Sequence, residues 1–131
     1  MPRVMLVVLI LSIPSVCCAD AGAIAICRDG CGKWYAAFNW PSKNAAEEQA
    51  LKWLKKNGHN PRILESSSKR YFVVAYTEGR KGVAWAFSKK NHDDALDEAI
   101  GHYRKTFGRQ PHQFKQYDNH VGGDPVKGII D

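Results

Sequence analysis

The sequence repeats itself at an offset of about 49 residues, and this repeat limits the possible folds more than any other feature of the chain. The aligned positions are Ile24 and Val73, Gly30 and Gly79, Phe38 and Phe87, Ala46 and Ala95, Ala50 and Ala99, and Leu51 and Ile100. An offset larger by one residue aligns Gly58 with Gly108. A repeat of this length corresponds to one supersecondary unit, and two such units can cover each other's apolar faces. The sequence therefore predicts two copies of one small unit.

The first copy carries the signals of two strands, a helix and a third strand. Alternating side chains predict a strand on each side of the Asp-Gly turn at Asp29. An apolar stripe at helical spacing then predicts a helix that Ser42 or Asn44 caps and that Gly58 ends. The predicted strands of this copy are residues 23–27, 33–40 and 62–65.

The second copy follows the same order. Its helix is expected to begin after Asn91 and to end at Gly108. The predicted strands of this copy are residues 71–77, 83–87 and 113–117. Two β-β-α-β units in succession predict an α+β fold in which one antiparallel sheet carries both helices on one face, with a pseudo-twofold between the halves.

The N-terminal residues have the pattern of a secretory signal peptide. Arg3 is positively charged, residues 4–13 are apolar, and Ala19-Asp20-Ala21 fits a cleavage site. The apolar run is shorter than the ~20 residues that a transmembrane helix needs. We therefore predict a signal peptide over residues 1–21, cleaved after Ala19 or Ala21, and a secreted or periplasmic protein. An uncleaved signal that tethers the chain, or a lipoprotein, is the alternative.

The remainder of the chain is expected to form one domain. Residues 22–120 suffice for one modest core, and the repeats 22–68 and 69–120 are too short to be independent domains. Residues 121–131 contain two adjacent glycines, a proline and little periodicity, which predicts a flexible tail.

Cysteine usage fits an oxidising compartment. Removal of the signal peptide would leave only Cys27 and Cys31, on either side of a short turn. Such a pair most simply forms a disulfide in an exported protein. The alternative is half of a metal site, which would need two further ligands, and the sequence after the predicted signal peptide contains no second cysteine pair. We predict the disulfide, with no metal and no cofactor.

The chain is basic, with a formal net charge of +6. Scattered lysines and arginines are typical of a solvated surface, and they also favour an anionic partner such as an envelope polymer or an acidic protein. The export signal, rather than the charge, disfavours nucleic acid as the partner.

Two family resemblances follow from particular stretches. The opening Gly22-Ala23-Ile24-Ala25, the hairpin into Trp34-Tyr35 and the helix beyond Ser42 resemble a family of small secreted bacterial domains of unknown function that often open with GAIA. This likeness runs from Gly22 to about Tyr117 and implies an exported α+β domain without catalytic residues. The family commonly has a cysteine after each helix, which this chain lacks.

A second and weaker likeness covers residues 34–76. This stretch resembles the sporulation-related repeat, which implies binding of peptidoglycan glycan strands.

Histidines offer the one enzymatic alternative. His112 and His120 with Lys115 have the groups required for general acid-base cleavage of a phosphodiester, so a small histidine-dependent hydrolase is one hypothesis. The sequence contains neither a Gly-x-Ser-x-Gly turn nor a glycine-rich phosphate loop before a helix. We predict no enzymatic activity and no catalytic residue.

Aromatic side chains suggest where a partner would bind. If the helices cover one face of a single sheet, then Tyr35, Phe72 and Tyr76 lie on the uncovered face, and Lys69 and Arg70 at its rim. An exposed aromatic face with basic residues at its rim is typical of a recognition surface. The alternative is that the tail or a second copy of the chain covers this face. The sequence thus predicts a non-enzymatic binding module for a protein or envelope component, for example a periplasmic inhibitor or immunity protein; peptidoglycan binding is the other binding hypothesis.

Overall fold

A computed structural model describes residues 20–28 and 31–120 of the chain. The predicted tail 121–131, the centre of the first turn at residues 29–30, and all of the predicted signal peptide except residues 20–21 lie outside this part. The elements are β1 (Ala21–Cys27), β2 (Trp34–Trp40), α1 (Lys43–Lys56), β3 (Pro61–Ser67), β4 (Tyr71–Tyr76), β5 (Val83–Ser88), α2 (His92–Phe107) and β6 (Gln113–Asp118). The predicted order of strands and helices is confirmed.

Both helices begin at a side-chain cap and end near a glycine. The hydroxyl of Ser42, rather than Asn44, accepts a hydrogen bond from the backbone N–H of Ala45 at 3.1 Å. Asn91 plays the same role for α2, where its Oδ1 accepts from the N–H of Asp94 at 2.7 Å. These caps satisfy backbone donors that the first turn of a helix leaves without a partner.

The strands form two antiparallel sheets of three strands each, in the orders β2-β1-β3 and β5-β4-β6. The α+β class is confirmed, and the two halves have the same topology. The sequence predicts one continuous sheet, whereas the structure has two separate sheets. In each half the first strand is central and is paired on both sides by strands of its own half, so the two sheets have no shared ladder.

The molecule has four layers: α1, the first sheet, the second sheet and α2. Apolar side chains from both sheets form one buried cluster, which includes Ile24, Trp34, Phe72 and Phe87. Each helix packs on the outer face of the sheet of its own half through a second and a third cluster. Apolar residues on both faces of a strand require cover on both sides, and here a helix supplies one side and the opposite sheet the other.

A local irregularity in β2 changes which side chains share a face. Asn39 has a positive φ of 60°, and the β1–β2 register shifts between Ala21 and Ala23. Phe38 therefore packs between the sheets, whereas Trp40 packs against the α1 cluster. The alternation of side chains along a regular strand predicts that these two side chains share one face. A β-bulge interrupts the two-residue period on which that prediction relied.

Neither helix in the described part of the chain has the length and apolar character needed to cross a membrane.

Candidate functional site

The predicted aromatic recognition face is not exposed. Tyr35 and Phe72 are fully buried, and Tyr76 is 6 % exposed. Tyr35 lies beneath α1, where its ring stacks on that of Trp53 at 5.1 Å, while Phe72 and Tyr76 lie between the two sheets. The prediction of exposure was wrong because it assumed a single sheet with one uncovered face.

The two basic residues of the predicted site remain at the surface but face different surroundings. The Nε of Arg70 forms an ion pair with the carboxylate of Asp118 at 3.1 Å, and its guanidinium lies 5.2 Å from the centre of the Tyr71 ring. Lys69 instead lines a groove beside β5. The five predicted binding residues therefore do not form one surface.

The structure shows a cleft of about 460 Å³ between the hairpin loops of the two halves, which we call the loop cleft. Its residues come from the β1–β2 loop, the β4–β5 loop and the strand ends beside them. The lining consists of Cys31, Gly32, Lys33, Trp34, Tyr76, Thr77, Glu78, Gly79, Arg80 and Lys81. The pseudo-symmetric hairpins thus meet at one end of the sandwich.

Two glycines allow the loops of this cleft to pack closely. A Cβ at Gly32 would lie 2.9 Å from Cγ of Lys81, and a Cβ at Gly82 would lie 2.3 Å from Cζ of Phe107. Both glycines have positive φ values, 80° and 113°. Residues with a side chain rarely adopt such values, so glycine is required at both points. Gly32 thus allows the two hairpin loops to approach each other, and Gly82 allows the β4–β5 loop to lie close to α2.

Three cationic side chains line the loop cleft: Lys33, Arg80 and Lys81, all at exposed positions. None of them has a carboxylate within ion-pair distance in residues 20–28 and 31–120, where Arg70–Asp118 is the one ion pair. The acidic member of the lining, Glu78, is held by Gln113, whose side-chain amide donates to Oε2 at 3.2 Å. The cleft therefore presents a local excess of positive charge.

The floor of the cleft is aromatic and well fixed. The rings of Trp34 and Tyr76 lie 5.4 Å apart between their centres, and Nζ of Lys115 lies 5.7 Å from the Tyr76 ring. The hydroxyl of Thr77 accepts hydrogen bonds from Tyr103 Oη at 3.0 Å and from the His112 backbone N–H at 3.2 Å. These contacts to α2 and β6 keep the floor rigid beneath the charged rim.

At the edge of the loop cleft lies the Cys27–Cys31 disulfide, which the structure forms as predicted. His59 lies beside it, with Nδ1 at 3.5 Å from Sγ of Cys31. Sequence reasoning did not connect His59 with the cysteines, because 28 residues separate it from Cys31 and no local motif joins them.

The histidines of the hydrolase hypothesis are not brought together. His112 precedes β6 and His120 follows it, so the length of the strand separates them by roughly 20 Å. The imidazole of His120 instead contacts the carbonyl oxygen of Ser68 at 3.4 Å. The two cannot act on one scissile bond in this arrangement.

A second concave surface, of about 340 Å³, runs along the edge strand β5, and we call it the β5 groove. Its central side chain is Trp85, which is partly exposed and whose indole N–H donates to Oε1 of Glu65 at 2.8 Å. Lys69, Glu98 and His102 complete its polar lining. The groove combines one aromatic ring with several hydrogen-bonding groups.

Comparison of the chain with protein-family models, with curated proteins and with solved structures finds no match. The two family resemblances therefore stay predictions. The function has to be argued from the geometry of this molecule alone.

Proposed function

We propose that this chain is an exported, non-enzymatic binding module that holds an anionic partner in the loop cleft. The observation that carries the proposal is the set of three cations, Lys33, Arg80 and Lys81, which line a preformed cleft without a carboxylate partner in the described chain. Clefts lined by charge of one sign concentrate ligands of the opposite sign and accelerate their association.

Two observations support export of the chain. The signal-like N-terminus predicts it, and a disulfide between Cys27 and Cys31 is typical of proteins in oxidising compartments. The partner of such a module would be an acidic protein or an anionic polymer of the cell envelope. An acidic toxin whose active site is blocked by this module would make it an inhibitor or immunity protein.

The test compares two variants that remove the same charge from different places. One variant changes Lys33, Arg80 and Lys81 to glutamine; the matched control changes Lys52, Lys55 and Lys56 to glutamine on the exposed side of α1. Each chain is immobilised and exposed to envelope extract, with mass spectrometry of the retained proteins, and to purified lipopolysaccharide and cell-wall sacculi.

Exposed charge pairs contribute about 0.2–1 kcal/mol each, so the loss of three should weaken binding by about threefold to about 150-fold. The α1 control should bind like the unaltered protein. Equal weakening of both variants would mean that net charge, and not the cleft, retains the partner. Retention of one protein in stoichiometric amount would indicate an inhibitor or immunity protein. Retention of lipopolysaccharide or sacculi alone would indicate a module that binds the cell envelope.

The β5 groove supports glycan binding as a second candidate, because a partly exposed Trp85 beside carboxylates and a lysine offers stacking together with hydrogen bonds. Stacking is not screened by salt, so retention on purified peptidoglycan should persist at moderate ionic strength and disappear in Trp85→Ala. Loss of retention in salt, or retention by the variant, would remove this candidate.

A further inference from the structure

Three metal-ligating side chains converge beside the loop cleft: Cys27, Cys31 and His59. Their potential ligand atoms all lie within 4.8 Å of one another. Cys27 is buried, while Cys31 and His59 are partly exposed, so an ion approaching from solvent can reach the cluster. Cysteines separated by three residues fall within the C-x₂₋₄-C spacing of zinc sites.

We propose that the reduced form of this protein binds one thiophilic d¹⁰ metal ion, with Zn²⁺ as the reference ion, through both cysteine sulfurs and Nδ1 of His59. The disulfide then acts as a redox gate: the oxidised chain has no thiolates and does not bind the ion. This inference does not depend on the proposed anionic partner.

The observed distance fits this coordination. Zinc binds sulfur at about 2.3 Å and imidazole nitrogen at about 2.05 Å, and a tetrahedral angle places such a sulfur and nitrogen about 3.5 Å apart. Sγ of Cys31 and Nδ1 of His59 are 3.5 Å apart. The imidazole therefore already lies at a suitable distance from Sγ of Cys31, and the two sulfurs must separate when the disulfide is reduced.

The backbone around the site is held in place independently of the disulfide. Gly58 has a φ of 82° and ends α1, and the N–H of His59 donates to the carbonyl of Leu54 at 3.0 Å. The N–H of Arg28 donates to the carbonyl of Asn60, which ties the end of β1 to the segment that carries His59. The end of β1 thus positions Cys27, and the turn after α1 positions His59, as precise metal sites require.

The chemistry balances with a named reductant. A tertiary phosphine reduces the disulfide and becomes the phosphine oxide, with water supplying the oxygen and the two thiol protons; in a cell a dithiol would supply two electrons and two protons. Zinc binding then releases both thiol protons to solvent and uses the neutral imidazole. A water molecule completes the tetrahedron, as in other zinc sites with three protein ligands.

The test uses the full mature chain, reduced with the phosphine under anaerobic conditions and titrated with Co²⁺ and Zn²⁺. We expect one ion per chain, with the thiolate-to-cobalt absorption and visible bands of a tetrahedral site, and their loss when Zn²⁺ is added. The oxidised chain should show none of this. His59→Ala should weaken zinc binding at least about tenfold, while the matched control His112→Ala, an exposed histidine elsewhere, should bind normally.

Two results would overturn the proposal. One is zinc binding by His59→Ala with the affinity of the unaltered reduced chain, because the thiols alone would then explain it; the other is absence of the cobalt bands in the reduced chain. Circular dichroism shows whether reduction of the disulfide unfolds the protein. Refolding on addition of Zn²⁺ would support the site, and a chain that stays unfolded with Zn²⁺ would overturn it.

Discussion

The backbone N–H of Asn39 donates a hydrogen bond to Oδ1 of Asn119 at 3.0 Å, across 80 residues of sequence. Asn119 is fully buried, and its Nδ2 donates to the carbonyl of Lys69 at 2.8 Å. The side-chain amide of Asn119, at the end of β6, thus connects the bulge of β2 in the first half to the β3–β4 connection. This polar contact joins the halves beside the apolar cluster that lies between the two sheets.

Replacing Asn119 by alanine should destabilise the protein by about 2–3 kcal/mol, because it leaves the Asn39 N–H and the Lys69 carbonyl without this partner. Gln116→Ala, at an exposed position of β6, the strand that precedes Asn119, is the matched control and should change stability by less than about 0.5 kcal/mol. Urea unfolding followed by tryptophan fluorescence measures both. Equal stability of the two variants would show that the amide does not hold the halves together.

Gly82→Ala should be more damaging than Gly79→Ala, although both glycines lie in one loop with positive φ. A Cβ at Gly82 would meet the Phe107 ring, whereas a Cβ at Gly79 has no atom within 4 Å among the described neighbours. We expect about 1 kcal/mol of backbone strain at Gly79 and roughly 2 kcal/mol more at Gly82 from the overlap.

Thermal unfolding of both variants checks this difference. The double variant Gly82→Ala, Phe107→Leu separates the two causes, because a smaller side chain relieves the overlap and leaves the backbone strain. Identical melting temperatures for the two single variants would contradict the packing of this loop on α2.

Phe72→Ala should cost about 3–5 kcal/mol, since Phe72 is fully buried between the sheets and its ring lies 4.2 Å from that of Phe87, centre to centre. A molecule with one sheet and an uncovered face would have Phe72 at its surface and would lose far less. Phe114→Ala, at a position that is 50 % exposed, serves as the control and should be nearly neutral. Chemical unfolding of the two variants therefore tests the four-layer arrangement directly.

The mature protein should begin at Asp20 rather than Gly22 if the predicted signal peptide is removed. Ala21 is fully buried and pairs with Trp40 at the start of β1, so cleavage after Ala21 would delete a residue of the sheet. Mass measurement of the exported chain distinguishes the two termini. A chain that begins at Gly22 and retains its stability would show that this pair is dispensable.

Local patterns in the sequence predicted most of the secondary structure. Asn91 and Gly108 delimit α2 as expected, because capping and the left-handed turn depend on residues within one helical turn. The Cys27–Cys31 disulfide followed from a similarly short spacing. The repeat also predicted that both halves share a topology.

Relations between distant residues were not predictable in the same way. The alternation in β2 and in β4 identifies two faces of each strand but does not say what covers each face, so Tyr35 and Phe72 were predicted to face solvent. The bulge at Asn39 is hydrogen-bonded to Asn119, which is 80 residues away in the sequence. The Arg80-Lys81 loop is visible in the sequence, but its approach to Lys33 exists only because the two sheets face each other. His59 meets Cys31 for a similar reason, through the pairing of β1 with β3.

The face-to-face sheets also determine when the chain can fold. Among the described residues, the second half covers the inner side of the first half, including Ile24, Trp34 and Ala36. During synthesis the first half therefore emerges with an apolar surface that nothing yet covers, and neither half completes its core until both are present. If the chain crosses a membrane unfolded, as the proposed export would require, this delay keeps it competent for translocation until its last strand has been made.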